Sequence, residues 1–270
     1  MLRELLMRES SFVFSPAPMA SREALCSAHD SGYVDSFLDG SIPTSVIRRI
    51  GFPWSPQLVV RTLASAGGTL AAAEAALAQG FSGTLAGGTH HAFRGEGAGF
   101  CVFNDIAVAI RHLGLRRPAV IDLDVHQGDG TAQIFAGDPD VFTLSIHSRN
   151  NFPFRKQPST LDVELDDHCG DEDYLRELDL ALEHVGAFGP GFLFYQAGVD
   201  TLAEDKLGRL SLTHAGLMER DRRVFAFAKS IQAPLVITLG GGYSDPIERT
   251  VEAHANTFRE ALLRIGAGEI

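Results

Sequence analysis

The stretch Val120-Ile-Asp-Leu-Asp-Val-His-Gln-Gly-Asp-Gly130 carries an apolar run straight into two aspartates and a histidine at alternate positions. Residues two apart on a strand point the same way, so Asp122, Asp124 and His126 are predicted to share one face at the strand's end. Carboxylates and an imidazole at that spacing form a metal-ligand pattern, with a carboxylate to spare for support. The rival reading is loop capping by the same side chains. Gly128 and Gly130 let the backbone turn tightly beside whatever that face holds.

Outward from this stretch, the runs Ala119–Ile121, Val141–Ile146, Phe192–Tyr195 and Leu235–Leu239 read as buried parallel strands, with Ser82–Leu85 as a candidate fifth. They are short, rich in β-branched or aromatic residues, and separated by helical patterns. Ser55-Pro56 opens one helix that runs to Gln79 and stops at Gly80. Asp171-Glu-Asp173 places negative charge at the start of a second, and a third spans about Thr213 to Lys229. The fold class is therefore α/β with a mainly parallel sheet, in a single domain.

Polar clusters succeed the strands. Gly87-Gly-Thr-His-His91 comes after the candidate fifth, Gln196-Ala-Gly-Val-Asp200 after Phe192–Tyr195, and Gly240-Gly-Gly-Tyr243 after Leu235–Leu239. In a parallel sheet these endings lie on one edge, where open α/β sheets place their ligand sites. Each cluster also has a bland reading: His90-His91 as loop filler, Asp200 as a helix cap, Gly240–Tyr243 as a tight turn. Their convergence on one crevice favours a chemical site.

The formal net charge of −11 opposes binding of a phosphate backbone and suits neutral or cationic ligands, so nucleic acid is not expected as a partner. Cys26, Cys101 and Cys169 are odd in number and widely spaced, which suits reduced thiols and a cytoplasmic setting. No segment has the length and hydropathy of a membrane span or signal core. Cys101 reads as a small buried residue rather than a nucleophile, and Phe152 and Phe154 default to the core. His112, His168, His184, His214 and His254 lack partners at ligand spacing.

Ile50-Gly-Phe-Pro-Trp-Ser55, Gly87-Gly-Thr-His-His-Ala-Phe93, Gly99-Phe-Cys101 with Asn104-Asp105, Ile121–Gly130, Asn151-Phe-Pro-Phe-Arg-Lys156, Ala197-Gly-Val-Asp200 and Gly240-Gly-Gly-Tyr243 together carry a resemblance. In this order they resemble the zinc-dependent histone deacetylase family, and within it the class IV and related bacterial deacetylase-like amidohydrolases. Gln127, where many relatives have a second histidine, points to the class IV-like branch. The resemblance implies a three-layer α/β/α, arginase/deacetylase-like fold spanning residues 1–270 as one catalytic domain.

It further implies that Asp124, His126 and Asp200 hold one divalent ion, zinc by preference with ferrous iron as a competitor. His90 and His91 would perform acid/base work, with His91 carrying the proton transfers, oriented by Asp122 and Asp129 respectively. Tyr243 would donate to the oxyanion. Gly99, Phe100, Phe152, Gly241 and Gly242 would line the substrate channel. A structural potassium ion is implied at the carbonyls of Asp122, Asp124, His126 and Ile146 and the hydroxyl of Ser145. The implied substrate is an acylated lysine peptide or small acylated amine. Relatives usually have an opening strand and a rim loop before the region matching Met1-Leu-Arg-Glu-Leu-Leu6, so the chain is expected to lack them. That departure leaves a partner-completed or non-catalytic binding protein as one alternative. A two-manganese ureohydrolase is the other, and it would need more aspartate ligands than Gly198-Val-Asp200 supplies.

Overall fold

Strands β1 (Phe81–Gly83), β2 (Pro118–Asp122), β3 (Phe142–Ser148), β4 (Leu161–Leu165), β5 (Phe192–Gln196) and β6 (Leu235–Thr238) form one sheet. Their order is β1-β6-β5-β2-β3-β4, and every pairing is parallel. The computed structural model describes residues 1–266. The helices are α1 (Leu2–Leu6), α2 (Arg22–Cys26), α3 (Ser31–Asp39), α4 (Thr44–Ile50), α5 (Pro56–Gln79), α6 (Asp105–Leu113), α7 (Asp129–Ile134), α8 (Asp171–Phe188), α9 (His214–Ile231) and α10 (Ile247–Arg264).

Strand alternation divides the core into two layers. Val120, Phe192, Phe194 and Val236 pack with Ala73 of α5 and Ile106 of α6 on one face. Ile121, Leu193, Tyr195 and Ile237 pack with Leu178 of α8, Phe225 of α9 and Phe258 of α10 on the other. Helices thus cover both faces, as a sheet buried on two sides requires. Ser55 caps α5 by accepting from the Leu58 N–H at 3.1 Å, and Gly80 closes it in the left-handed region. Thr213 caps α9 in the same way. Among the described residues no helix is long and apolar enough to cross a membrane.

The sheet has one switch in direction. From β2 the chain builds outward through β3 to β4, then returns to β5 on the opposite side of β2. The loops after β2 and β5 therefore diverge and leave a crevice between them. The fully buried Arg220 of α9 fastens both loops from behind, donating from Nη1 to the carbonyls of Gly198 at 2.6 Å and Leu123 at 3.3 Å. Its charge is met by Asp221, which also accepts from the hydroxyls of Tyr195 and Thr257.

A second anchor holds the segment beyond β1. The buried His29 ring meets the carbonyls of Phe93 at 2.9 Å and Arg94 at 3.2 Å through Nδ1, while the Asn104 N–H donates to Nε2 at 2.9 Å. Nδ1 therefore carries the proton and the ring is neutral. Burial pushes its pKa down to about 4, against the raising effect of the two carbonyls. Since the unfolded value is higher, His29 contributes stability above about pH 6.5 and loses it as pH falls towards 4, by about 3 kcal/mol at most. The denaturant midpoint of chelated protein is expected to fall between pH 7 and pH 5, with a shallower fall in His29→Gln. Equal slopes would remove His29 from this account.

Candidate active site

Asp124 and His126 leave β2, and Asp200 leaves β5, so the crevice collects all three. Asp124 and Asp200 are buried, and His126 is nearly so. The His126 Nδ1 lies 3.0 Å from Asp124 Oδ1 and 3.1 Å from Asp200 Oδ2. One donor atom from each residue lies within 4.8 Å of the others, the only such group of three or more among the described residues. Backbone amides fix the carboxylates: His126 N–H donates to Asp124 Oδ1 at 2.9 Å, Gly241 N–H to Asp124 Oδ2 at 2.7 Å and Val125 N–H to Asp200 Oδ1 at 2.9 Å. An added Cβ at Gly241 would run into the Asp200 carboxylate, so this position admits glycine alone.

The donor set fits a divalent ion. Two carboxylates and an imidazole converge without a lysine or arginine pairing either acid, which leaves buried negative charge for a cation to balance. Burial and the neighbouring Asp124 push Asp200 up to about 7. Burial alone would lower His126, but hydrogen bonds to Asp124 and Asp200 outweigh it and raise it to about 10.

Beside this cluster stand two histidine–carboxylate pairs. His90 Nδ1 lies 2.7 Å from Asp122 Oδ2 and His91 Nδ1 lies 2.6 Å from Asp129 Oδ1, with the imidazole rings 4.1 Å apart. Each pair is buried, and each leaves Nε2 unclaimed by its carboxylate; that of His90 lies 4.0 Å from Asp124 Oδ1. Burial works against charge on His90, but Asp122 and Asp124 outweigh it and hold the ring up to about 9. His91 is pushed down to about 4 by burial and by His90, against Asp129.

The loop carrying both rings is set by Asp105, at the start of α6. Its carboxylate accepts from the Thr69 hydroxyl, from the Gly88 and Thr89 N–H groups at 2.9 and 2.7 Å, and from the Thr89 hydroxyl at 2.6 Å. Gly88 has φ +76°, and a Cβ there would meet Gly240 N at 2.8 Å. Asn104 completes the support by donating to Ala92 O and Thr131 Oγ1. His29 is not distinguishable in sequence from an ordinary core residue, while Asp105 stands out only through the Asn104-Asp105 motif of the resemblance.

Aromatic rings surround the mouth. Phe152 packs edge-on against His91 at 4.9 Å between centroids, and Phe100 packs against Phe52 at 5.2 Å. A Cβ at Gly99 would meet His91 at 2.7 Å and Phe152 at 3.1 Å, so this backbone lies against both. Phe100 holds φ +66°, with its N–H donating to Ile50 O at 2.8 Å. Phe152 and Phe154 are 37% and 88% exposed, which overturns the default to the core for this pair. Their loop connects β3 to the edge strand β4 at the mouth of the crevice. Tyr243, 47% exposed, is anchored by its N–H to Asp205 at 2.5 Å, and burial with Asp200 and Asp124 pushes its phenol up, keeping it protonated.

The remaining positions are less central. Gly242 faces Val199, Thr250 and His254 rather than the mouth. Ser145 stands opposite Asp122 in the sheet register with Ile146 next to it, and its hydroxyl lies 3.0 Å from His147 Nδ1. Cys101 is buried and its thiol is pushed up by burial, in keeping with an inert side chain.

A parallel α/β/α sheet with a carboxylate–imidazole cluster at its switch point is the architecture of the arginase/deacetylase-like proteins. The chain matches the histone deacetylase domain over residues 1–258. It is 31% identical to histone deacetylase 2 of Arabidopsis thaliana over 260 residues, covering 91% of this chain and 67% of that one. It is 30% identical to the acetoin utilization protein AcuC of Bacillus subtilis over 253 residues, covering 84% and 65%. An uncharacterized protein of Picosynechococcus sp. is 44% identical over 238 residues, covering 86% and 79%. The chain belongs to the histone deacetylase family.

Proposed function

We propose that the protein is a single-domain, metal-dependent deacylase that hydrolyses the amide of acetyl-lysine or a similar acylated amine. The observation that carries this reading is the buried Asp124, His126 and Asp200 cluster with two histidine–carboxylate pairs beside it, beneath an aromatic mouth. Asp124, His126 and Asp200 would hold zinc or ferrous iron, and either ion, when bound, supplies Lewis acidity and a more acidic water. The channel would be walled by Gly99, Phe100 and Phe152, with the Gly241 backbone lying against the Asp200 carboxylate at its buried end.

His91 takes the proton as water adds to the acyl carbon, and returns it to the nitrogen as the C–N bond breaks. The products are a carboxylate and a free amine. Its contact with the channel wall Phe152 supports this assignment, because it places the ring beside the substrate channel. His90 supplies electrostatic support, and Asp122 and Asp129 fix the ring tautomers. Tyr243 donates its hydroxyl hydrogen to the developing oxyanion. The potassium site would use the carbonyls of Asp122, Asp124, His126 and Ile146 with the Ser145 hydroxyl, a set supported by the Asp122–Ser145 register.

The test is turnover of acetyl-lysine and longer acyl-lysine peptides by zinc-loaded protein, beside a chelated sample. Metal-dependent turnover is expected, and Tyr243→Phe should lower kcat about 10²- to 10³-fold. A variant as active as the parent would remove the oxyanion role from Tyr243. Metal content should plateau near one divalent ion per chain, and two tightly held ions would favour the ureohydrolase alternative.

A further inference from the structure

A cavity of about 50 Å³ lies behind Phe100, lined by Phe52, Arg61, Thr62, Ser65 and Thr89 among others. It has room for a carboxylate. Arg61, Thr62 and Ser65 lie on the first half of α5, where residues three and four apart are neighbours, and all three line the cavity. Among the described residues, Arg61 has no carboxylate partner, and the Thr62 and Ser65 hydroxyls make no side-chain hydrogen bond. The Arg61 guanidinium instead stands over the Phe52 ring at 4.9 Å, and Phe52 in turn packs on the channel-wall ring Phe100. Three unclaimed donors therefore sit one aromatic ring away from the mouth.

Two further observations set the chemistry and the place. The chain carries a net charge of −11, so a local cation such as Arg61 is what would favour an acidic ligand here. Arg61 and Phe100 are exposed while His90 and His91 are buried, so the cavity flanks the outer end of the channel. With the acyl carbon and the amide nitrogen bonded to it at the buried end, the outer end faces the far end of the amine, where a lysine carries its α-carbon.

We propose that Arg61, with Thr62 and Ser65, is a specificity site for a carboxylate on the amine side of the substrate. The carboxylate belongs either to an acidic residue beside an acyl-lysine or to the free α-carboxylate of a small acylated amino acid. This inference rests on the deacylase reading. The guanidinium offers two parallel N–H groups to the carboxylate, and the two hydroxyls take the remaining lone pairs.

The test uses acetyl-lysine peptides with Asp, Asn or Lys beside the modified residue, and acetyl-lysine with a free or amidated carboxyl group. Zinc-loaded wild type is expected to prefer the acidic member of a pair by about fivefold to tenfold in kcat/KM, mainly through KM. Whichever pair shows the preference identifies the source of the carboxylate. The ratio should fall to about one in Arg61→Met, recover in part in Arg61→Lys, and reverse towards the Lys-flanked peptide in Arg61→Glu, a reversal that a structural role would not produce. Binding of the same peptides, fluorescently labelled, is measured by anisotropy with chelated protein. Should no peptide turn over, the deacylase reading fails while the Arg61-dependent binding order still tests the site. A wild-type ratio near one in both assays, or a preference that survives Arg61→Met, would overturn the inference.

Discussion

Asp200→Asn is expected to abolish divalent-ion binding and, with it, all measurable turnover. Asparagine retains an oxygen to accept the Val125 N–H bond, now 2.9 Å long, so the loop after β5 keeps its shape. The substitution removes one of the two negative charges that a bound cation would balance. In chelated protein that loss is a gain, because Asp200 is fully buried beside Asp124 and its charged form is disfavoured there. The chelated variant should therefore melt at or above chelated wild type. Zinc should raise the melting temperature of wild type and leave the variant unmoved, since an ion stabilises only the state that binds it. Metal analysis after dialysis, together with melting curves with and without chelator, checks both signs. Retention of about one ion by the variant would remove Asp200 from the ligand set.

His91→Ala is expected to lower kcat by about 10²- to 10⁴-fold while the protein keeps its ion. The ring is buried, oriented by Asp129 at 2.6 Å, and placed between Phe152 at 4.9 Å and His126 at 6.0 Å between centroids. Among the described residues no other histidine stacks on the wall rings Phe100 and Phe152. Asp129→Asn leaves the ring in place without its charged partner, and a smaller loss of about 10- to 100-fold is expected. Steady-state kinetics on an acetyl-lysine peptide, with metal content measured on the same samples, separates proton transfer from metal binding. A His91→Ala enzyme with wild-type kcat would move the general base elsewhere.

Much of this architecture was legible in the sequence where two signals coincided. Around β2, a fully buried apolar run meets polar residues of alternating period, and around α5 a Ser-Pro start and a Gly stop bracket an apolar face. The same logic failed at β4, where Leu161, Val163 and Leu165 alternate with Asp162 and Glu164. An edge strand half open to solvent does not form the continuous apolar run by which its buried neighbours are recognised. Phe154 misled in the opposite sense, because aromatic character predicts burial only where an element exists to cover the ring. Two supports of the site were hidden for a different reason. Arg220 and His29 act across 97 and 75 residues of sequence on Leu123 and Asn104, so no local pattern marks them.

Arg220 also bears on the order in which the protein matures. By tying the carbonyls after β2 and β5 to α9, it presets the separation of the loops that carry Asp124 and Asp200 using contacts complete without any ion. A donor set positioned without help from its ion would let the chain fold before loading, and the metal it carried would then follow the divalent ion supplied rather than the moment of synthesis.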